Sequence, residues 1–213
     1  MRYLILAAGM GKRMRPPEPP SRASVGARRA IGPQAQLPKC LIEIDGEPLI
    51  RRLVRQIRRH DATADVRAVL GYRAELVAPH LAGCTIVLNP FFDVTGINAS
   101  LWFARAAFSA PLMVIHGDVA LSDELAAALF QAEADSLVAF DSSVRDPREI
   151  NVAVTGDRVT RFGVNFAGYS GAYAGVLKLS AHAAAVFAAA LALRVERGFN
   201  EARNYYFFVL RTL

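Results

Sequence analysis

The chain has 213 residues and a formal net charge of +6, and 53% of its residues are hydrophobic against 21% charged. This length and composition suffice for a single domain over 1–213 with a buried core, and they exclude a chain that is disordered as a whole. The two cysteines, Cys40 and Cys84, are too few and too far apart for a disulfide framework or a zinc cluster.

Charge and hydropathy also limit the partners and the location. The positive charge favours anionic ligands such as nucleotides, but the basic residues are too scattered, with no interleaved aromatic residues, for a nucleic-acid site. The most apolar stretch, 181–193, is shorter than the ~20 residues of a membrane-spanning helix and contains His182. Because Met1-Arg2 leads directly into the first strand, we expect no signal peptide. We therefore expect a cytoplasmic protein without membrane insertion, which could form oligomers.

Strand and helix patterns alternate along the first 140 residues. The predicted strands are 2–7, 66–70, 85–88, 112–116 and 136–140, and the predicted helices are 48–60, 75–81, 100–108 and one capped by Ser122 that runs to about 132. A different pattern follows: a hairpin of 151–155 and 158–162 around Gly156-Asp157, a strand over 173–179, and helices over 181–195 and 200–213. The alternation predicts an α/β, Rossmann-like three-layer sandwich with a mostly parallel mixed sheet and a small antiparallel hairpin extension.

The segment 15–36 fits no regular element. It is rich in proline, alanine and arginine, and prolines stand at positions 16, 17, 19, 20 and 33. Loops of this length are usually functional lids or disordered segments, and both interpretations stay open. We expect the segment to be mobile when no ligand is bound.

A glycine-containing turn, LAAGMGKR over 6–13, directly follows the first strand. Gly9 and Gly11 allow the backbone to approach a ligand closely, and Lys12 and Arg13 add positive charge, so the turn suits a polyphosphate. The dinucleotide fingerprint is excluded because position 14 is Met, where a small residue is required. The P-loop is excluded because Arg13 stands where Ser or Thr is needed and the glycine spacing is wrong. An ordinary strand-to-helix turn remains the alternative.

Two further segments bear on chemistry. Asp118 follows the apolar strand that ends in His116, and the glycine turn follows the first strand. Because the carboxyl ends of parallel strands lie at one edge of the sheet, Asp118 and the glycine turn should lie at the same edge. A carboxylate at this edge suits Mg²⁺ beside a triphosphate. The simpler alternative is an aspartate that hydrogen-bonds to the backbone of its own turn. We expect the His116 side chain to be packed in the interior. In the segment 89–104, Asn98 and Ser100 are candidate helix caps, and Phe91 and Phe92 lie where a base or acceptor could rest.

Taken together, the strings LAAGMGKRM, PKCLIEIDGEPLI, the Gly-Tyr at 71–72, a helix-opening Asn-Ala-Ser-Leu and the Gly-Asp-Val at 117–119 resemble the sugar-phosphate nucleotidyltransferase superfamily. Within it the chain is most similar to the phosphocholine cytidylyltransferase branch. The resemblance implies a fold of the nucleotide-diphospho-sugar transferase type. It also implies a reaction in which an acceptor phosphate or phosphonate attacks the α-phosphorus of a nucleoside triphosphate and pyrophosphate leaves.

The resemblance also implies roles for individual residues. Arg13 and Lys39 would neutralise charge on the reacting phosphates, and Asp118 would bind Mg²⁺. Asn98 and Tyr173 would lie on the acceptor side. The nucleotide would contact Leu6, Ala7, Ala8, Gly9, Gly11 and Lys12, and its base would contact Gly71 and the backbone nearby. CTP is slightly favoured, and the partner is a small phosphorylated acceptor such as phosphocholine, a phosphonate or a sugar 1-phosphate.

The chain departs from the family pattern in two ways. Family members place only about ten residues between the arginine and the lysine, whereas 25 residues separate Arg13 from Lys39 here. A second metal carboxylate near the C-terminus is not found before Leu213, so the end is truncated, the second metal is held differently, or activity is compromised. These departures support a catalytically degenerate nucleotide-binding module as one alternative. A molybdenum-cofactor-type guanylyltransferase, which has a similar opening motif, is a second alternative.

Overall fold

The structure, a computed structural model, describes residues 1–11 and 37–196. Eight strands form a central mixed sheet, and two further strands form a small antiparallel sheet. The strands in chain order are β1 (Arg2–Ala7), β2 (Glu43–Ile44), β3 (Glu47–Pro48), β4 (Asp65–Leu70), β5 (Thr85–Leu88), β6 (Leu112–His116), β7 (Leu137–Asp141), β8 (Asn151–Thr155), β9 (Arg158–Gly163) and β10 (Gly171–Leu179).

The first part of the central sheet is parallel: β5, β4, β1 and β6 lie side by side in that order. Strand β10 is antiparallel to β6, and β7 and β8 are each antiparallel to β10, so both run in the same direction as β1. Strand β9 completes the β8–β9 hairpin. Within the described part of the chain, the sheet is therefore mixed and mostly parallel with an antiparallel extension, as the sequence predicts.

Helices cover both faces of the sheet. They are α1 (Leu49–His60), α2 (Ala74–Val77), α3 (Ile97–Phe103), α4 (Asp123–Gln131) and α5 (Ala181–Glu196), with 3₁₀ turns at Lys39–Leu41, Ala78–His80 and Arg105–Ser109. Alternation along β1 sends Tyr3 and Ile5 into one apolar cluster with α1 and α4, and Leu4 into a second cluster with α3 and α5. These two clusters on opposite faces make the three-layer sandwich. No described helix is long and apolar enough to cross a membrane.

Most predicted elements are present, and several boundaries differ. The predicted helix 75–81 is split into α2 and a 3₁₀ turn. The predicted helix 100–108 is wrong at both ends: α3 begins at Ile97 after Gly96, and a 3₁₀ turn follows it. Asn98 and Ser100 are therefore not caps, because both lie inside the helix and are buried. The cap predicted at Ser122 is confirmed, since its hydroxyl accepts a hydrogen bond from the Leu125 N–H.

The β2–β3 hairpin was not expected, although its signal is present in the sequence. Ile44 pairs with Glu47 across Asp45-Gly46, both of which have positive φ, and Asp-Gly is a preferred two-residue hairpin turn. The strands have only two residues each, too short for an alternation pattern to be read. The predicted loop 15–36 and the predicted helix 200–213 lie outside the described residues.

Candidate active site

An open cleft of about 460 Å³ lies at the carboxyl ends of β1 and β6. This is the edge of an open α/β sheet where ligands bind. Two segments form one side, the turn after β1 and the 3₁₀ turn at Lys39–Leu41, and the connection from β5 to α3 forms the other. Its described lining residues are Leu6, Ala7, Ala8, Gly9, Met10, Gly11, Pro38, Lys39, Cys40, Asn89, Phe92, Thr95, Gly96, Ile97, Ser100, His116 and Asp118.

The turn after β1 is held by backbone hydrogen bonds from both neighbouring strands. The Gly117 N–H donates to the Leu6 carbonyl at 2.9 Å, and the Tyr72 N–H donates to the Ala8 carbonyl at 3.1 Å. Gly11 has φ +60, a left-handed conformation that favours glycine. Gly9 is exposed, its φ is not left-handed, and a Cβ built on it would meet nothing within 4 Å. The described structure therefore gives no packing or backbone reason for a glycine at position 9.

Lys39 and Asp118 form an ion pair within the cleft. The Lys39 Nζ lies 3.8 Å from Asp118 Oδ2, and the two side chains are 34% and 41% exposed. The lysine stem passes close to Gly11, because a Cβ on that glycine would be 3.3 Å from Lys39 Cγ and 3.4 Å from Cε. Among the described lining residues, Lys39 supplies the positive charge and Asp118 supplies the negative charge.

The other ionisable lining groups are uncharged at neutral pH. Burial, and secondarily the nearby Asp118 carboxylate, raises the pKa of the Cys40 thiol to about 12, so it stays protonated. Desolvation lowers the pKa of His116, and the Asp118 carboxylate acts in the opposite direction. His116 packs edge-on against the Tyr173 ring, with 5.6 Å between ring centroids. It is thus packed, as the sequence predicts, and Cys40 is a buried thiol.

A buried polar network supports the wall opposite Lys39. The Asn89 side-chain amide donates to the Ser100 hydroxyl at 3.0 Å and to the Thr95 hydroxyl at 3.3 Å. Its carbonyl accepts from the Phe91 N–H at 3.0 Å, and its backbone N–H bonds to the Leu70 carbonyl. Asn89 therefore joins the end of β5, the following turn and α3. Sequence reasoning did not single it out, although Asn-Pro after a strand is a recognisable turn signal.

The structure brings together many of the residues expected at the site, but not all of them. Leu6, Ala7, Ala8, Gly9, Gly11, Lys39 and Asp118 all line the cleft. Gly71 and Asn98 are not among the lining residues. Phe92 lies directly on Gly71, since a Cβ there would be 2.5 Å from Phe92 Cβ, and the Asn98 side chain is buried with neither polar atom hydrogen-bonded. Lys12 and Arg13 lie outside the described residues.

The cleft fits a Mg²⁺ ion that is shared with a ligand. The described residues contain no group of three or more His, Cys, Asp or Glu side chains that could hold a metal by themselves. Mg²⁺ is commonly bound by one or two carboxylates together with phosphate oxygens and water. Asp118 supplies an accessible carboxylate in the cleft, so a cation could bind there if phosphate oxygens completed its coordination.

One family model and one curated relative match most of this chain. The family model described as "MobA-like NTP transferase domain" matches residues 3–198. A curated relative, "Bifunctional IPC transferase and DIPP synthase" from Rubrobacter xylanophilus, is 28% identical over 186 residues. That match covers 83% of this chain and only 38% of the length of the relative.

Similar folds occur among solved structures. The CTP:phosphocholine cytidylyltransferase from Streptococcus pneumoniae has a TM-score of 0.70 at 18% identity, covering 98% of this chain and 83% of that one. The inositol-1-phosphate CTP transferase from T. maritima has a TM-score of 0.64 at 19% identity, covering 98% of this chain and 79% of that one. At these identities the likeness shows a nucleotidyltransferase-like fold.

Proposed function

Because the chain belongs to the MobA-like NTP transferase domain family, and is therefore a nucleotidyltransferase, we propose that it transfers CMP from CTP to a small phosphorylated acceptor and releases pyrophosphate. An oxygen of the acceptor phosphate or phosphonate attacks the α-phosphorus, and the bond from that phosphorus to the α–β bridging oxygen breaks. The reaction needs Mg²⁺ and no covalent protein intermediate.

The observation that carries this proposal is the bare backbone at Gly9. The described structure does not need a glycine there, yet Gly9 lies on the cleft wall beside Ala8 and Gly11. A side chain at this position would point into space that a triphosphate could occupy against the turn. Exposed backbone N–H groups bind phosphate well only where the backbone is uncovered. We infer that position 9 is glycine so that a ligand can approach the backbone. Position 11 is glycine because the turn requires a left-handed conformation there.

Charge neutralisation and positioning account for the chemistry. Phosphoryl-type transfer is served mainly by holding the reactants in line and by stabilising charge. In the proposal, Lys39 and Arg13 bind the reacting phosphates, and Asp118 holds the metal. When bound, Mg²⁺ would neutralise charge on the phosphate oxygens and the departing pyrophosphate. Leu6, Ala7, Ala8, Gly9, Gly11 and Lys12 would contact the nucleotide, and Asn98 would act on the acceptor side.

Two lines support CTP as the donor. Two of the proteins with a similar fold are a CTP:phosphocholine cytidylyltransferase and an inositol-1-phosphate CTP transferase, and the curated relative is a bifunctional IPC transferase and DIPP synthase. At the cleft end beside Gly71, the Phe92 side chain covers the glycine, and its ring lies 6.2 Å from that of Tyr72. We infer that this side chain would limit the room for a base beside Gly71 and would thereby favour a pyrimidine over a purine.

The test is pyrophosphate release by the purified protein with Mg²⁺. Each common ribonucleoside triphosphate is paired with a panel of phosphocholine, inositol 1-phosphate, a small aminophosphonate and sugar 1-phosphates. We expect release with CTP and one acceptor class, and none when either substrate is omitted. Release only with GTP would favour the guanylyltransferase alternative. No release with any pair, combined with specific nucleotide binding, would favour a catalytically degenerate module.

A further inference from the structure

We propose that Lys39 has a second role: without nucleotide, its ammonium is the counter-ion of Asp118 and stands where a divalent cation would bind. Asp118 would then bind the cation well only when the triphosphate draws Lys39 away. This inference rests on the proposed function for the identity of the triphosphate. It adds that nucleotide binding and metal binding are coupled through one lysine.

The geometry gives Lys39 two possible partners. Its Nζ lies 3.8 Å from Asp118 Oδ2, while its stem runs against Gly11 in the turn where the triphosphate would bind. Lys39 begins a 3₁₀ turn after Pro38, and the next residue, Cys40, is buried. The backbone of Lys39 is therefore anchored while its ammonium stays partly exposed between the turn and the carboxylate.

Electrostatic repulsion couples the binding of the triphosphate to the binding of the cation. An ammonium and a divalent cation repel each other, so both cannot lie close to the same carboxylate at low cost. If the triphosphate takes Lys39, Asp118 is left without a counter-ion beside added negative charge, and its affinity for a cation rises. By linkage, a bound cation raises the affinity for the triphosphate to the same extent.

The first test measures metal binding without nucleotide. Mn²⁺ is titrated into the protein, and free Mn²⁺ is followed by electron paramagnetic resonance. We expect weak binding to the unaltered protein and roughly tenfold tighter binding to Lys39→Met, an effect typical of removing one like charge from a partly exposed site. Arg51→Gln, which removes the same charge from an exposed position on α1, is the matched control and should leave the affinity unchanged.

Asp118→Asn identifies the site that is being measured. It should abolish the tight Mn²⁺ binding in the Lys39→Met background, while thermal melting shows that each variant is folded. The proposal is overturned if Lys39→Met binds Mn²⁺ no more tightly than the unaltered protein, or if the tightened binding survives Asp118→Asn. Because no nucleotide is present, this outcome is independent of the pyrophosphate assay.

A second test reads the coupling from the nucleotide side. In EDTA, Asp118→Asn frees Lys39 and removes a negative charge, so CTP should bind several-fold more tightly than to the unaltered protein. With saturating Mg²⁺ the order should reverse, because the variant lacks the metal ligand. If Asp118→Asn has the weaker CTP affinity in both conditions, the coupling is wrong. If CTP binds to neither protein, the proposed donor fails and the Mn²⁺ titration alone decides.

Discussion

At the scale of single residues, Gly9 and Gly71 are glycines for different physical reasons. A Cβ on Gly9 meets nothing within 4 Å, whereas a Cβ on Gly71 would lie 2.5 Å from Phe92 Cβ and 2.9 Å from the Ala8 carbonyl oxygen. We expect Gly71→Ala to destabilise the fold by about 2–4 kcal/mol, because backbone atoms must shift. Gly9→Ala should unfold like the unaltered protein but bind CTP at least tenfold more weakly. Urea unfolding and calorimetric titration measure the two effects.

Lys39 and Asp118 form the ion pair to which we assign the chemistry in the proposed function. Lys39→Met and Asp118→Asn should each lower the rate of pyrophosphate release by about 10²–10³-fold, the usual effect of removing a group that stabilises transition-state charge. Arg51→Gln should retain the full rate. A near-normal rate in either cleft variant would show that the residue has another role.

Phe92 is the residue that we expect to set the size of the base. Phe92→Ala would uncover Gly71 and enlarge that end of the cleft, so the ratio of kcat/KM for CTP over GTP should fall by about tenfold. Phe91→Ala is the matched control, because Phe91 is half exposed and does not line the cleft. If the unaltered protein already prefers GTP, this account of base choice is wrong.

Part of the candidate site could be predicted from residue types in the first strand and the following turn. The structural role of Asn89 could not be predicted in this way. Glycine spacing and a lysine in a short motif are local signals, so Gly9, Gly11 and Lys39 could be found from their neighbours in sequence. The role of Asn89 depends on contact with Ser100, eleven positions away, and on burial of both side chains. Likewise, the covering of Gly71 by Phe92 arises only when β4 and β5 pair.

At the scale of elements, the connection from β5 to α3 and the start of α3 each contain one buried asparagine, Asn89 and Asn98, and the two have opposite environments. The Asn89 amide is hydrogen-bonded, whereas neither polar atom of the Asn98 side chain has a partner. Asn89→Ala removes the side-chain amide and leaves its buried hydrogen-bond partners unpaired, so it should lower the free energy of unfolding by about 1–3 kcal/mol. Asn98→Leu should be neutral or stabilising, because it removes a desolvation cost. Chemical denaturation measures both, and equal losses would contradict the assignment.

Asn98 also allows a functional reading at this scale. A buried amide without partners is costly to keep, and it lies two residues from each of the cleft residues Gly96 and Ser100. If Asn98 acts on the acceptor side, Asn98→Leu should raise the KM for the acceptor without raising the KM for CTP.

The structure of α3 also shows why its start was mispredicted. Asn98 and Ser100, residue types that usually cap helices, are buried inside it, and Gly96 precedes the helix instead.

At the scale of the whole molecule, Arg2 joins the first strand to two distant segments. Its guanidinium donates to the Asp65 carboxylate at 2.7 Å and to the Ala107 carbonyl at 2.7 Å. Arg2→Met should therefore cost about 1–3 kcal/mol in unfolding free energy. Arg148→Met, which removes an 85% exposed arginine paired with Asp146, should leave stability nearly unchanged and is the control.

The cost of Arg2→Met should depend on pH. Hydrogen bonds from Arg67 and then Arg2 lower the pKa of Asp65 below its usual 3.8. A lowered folded-state pKa stabilises the protein fully above the unfolded value and less as pH falls through the folded value. The difference in unfolding free energy between Arg2→Met and the unaltered protein should thus be larger at pH 7 than at pH 3. A difference that grows on acidification would contradict this origin.

The central position of β1 has a consequence for how the protein is made. Arg2 pairs with Asp65 on one side and with Leu112 on the other, so β1 leaves the ribosome well before the two strands that flank it. Until β6 has emerged, the apolar strand Tyr3-Leu4-Ile5 has an unpaired edge, and the glycine turn lacks Asp118. Pairing over such separations is slow and leaves nascent chains prone to aggregation. The candidate cleft can therefore form only after Asp118 has been synthesised, long after the glycine turn that lines it.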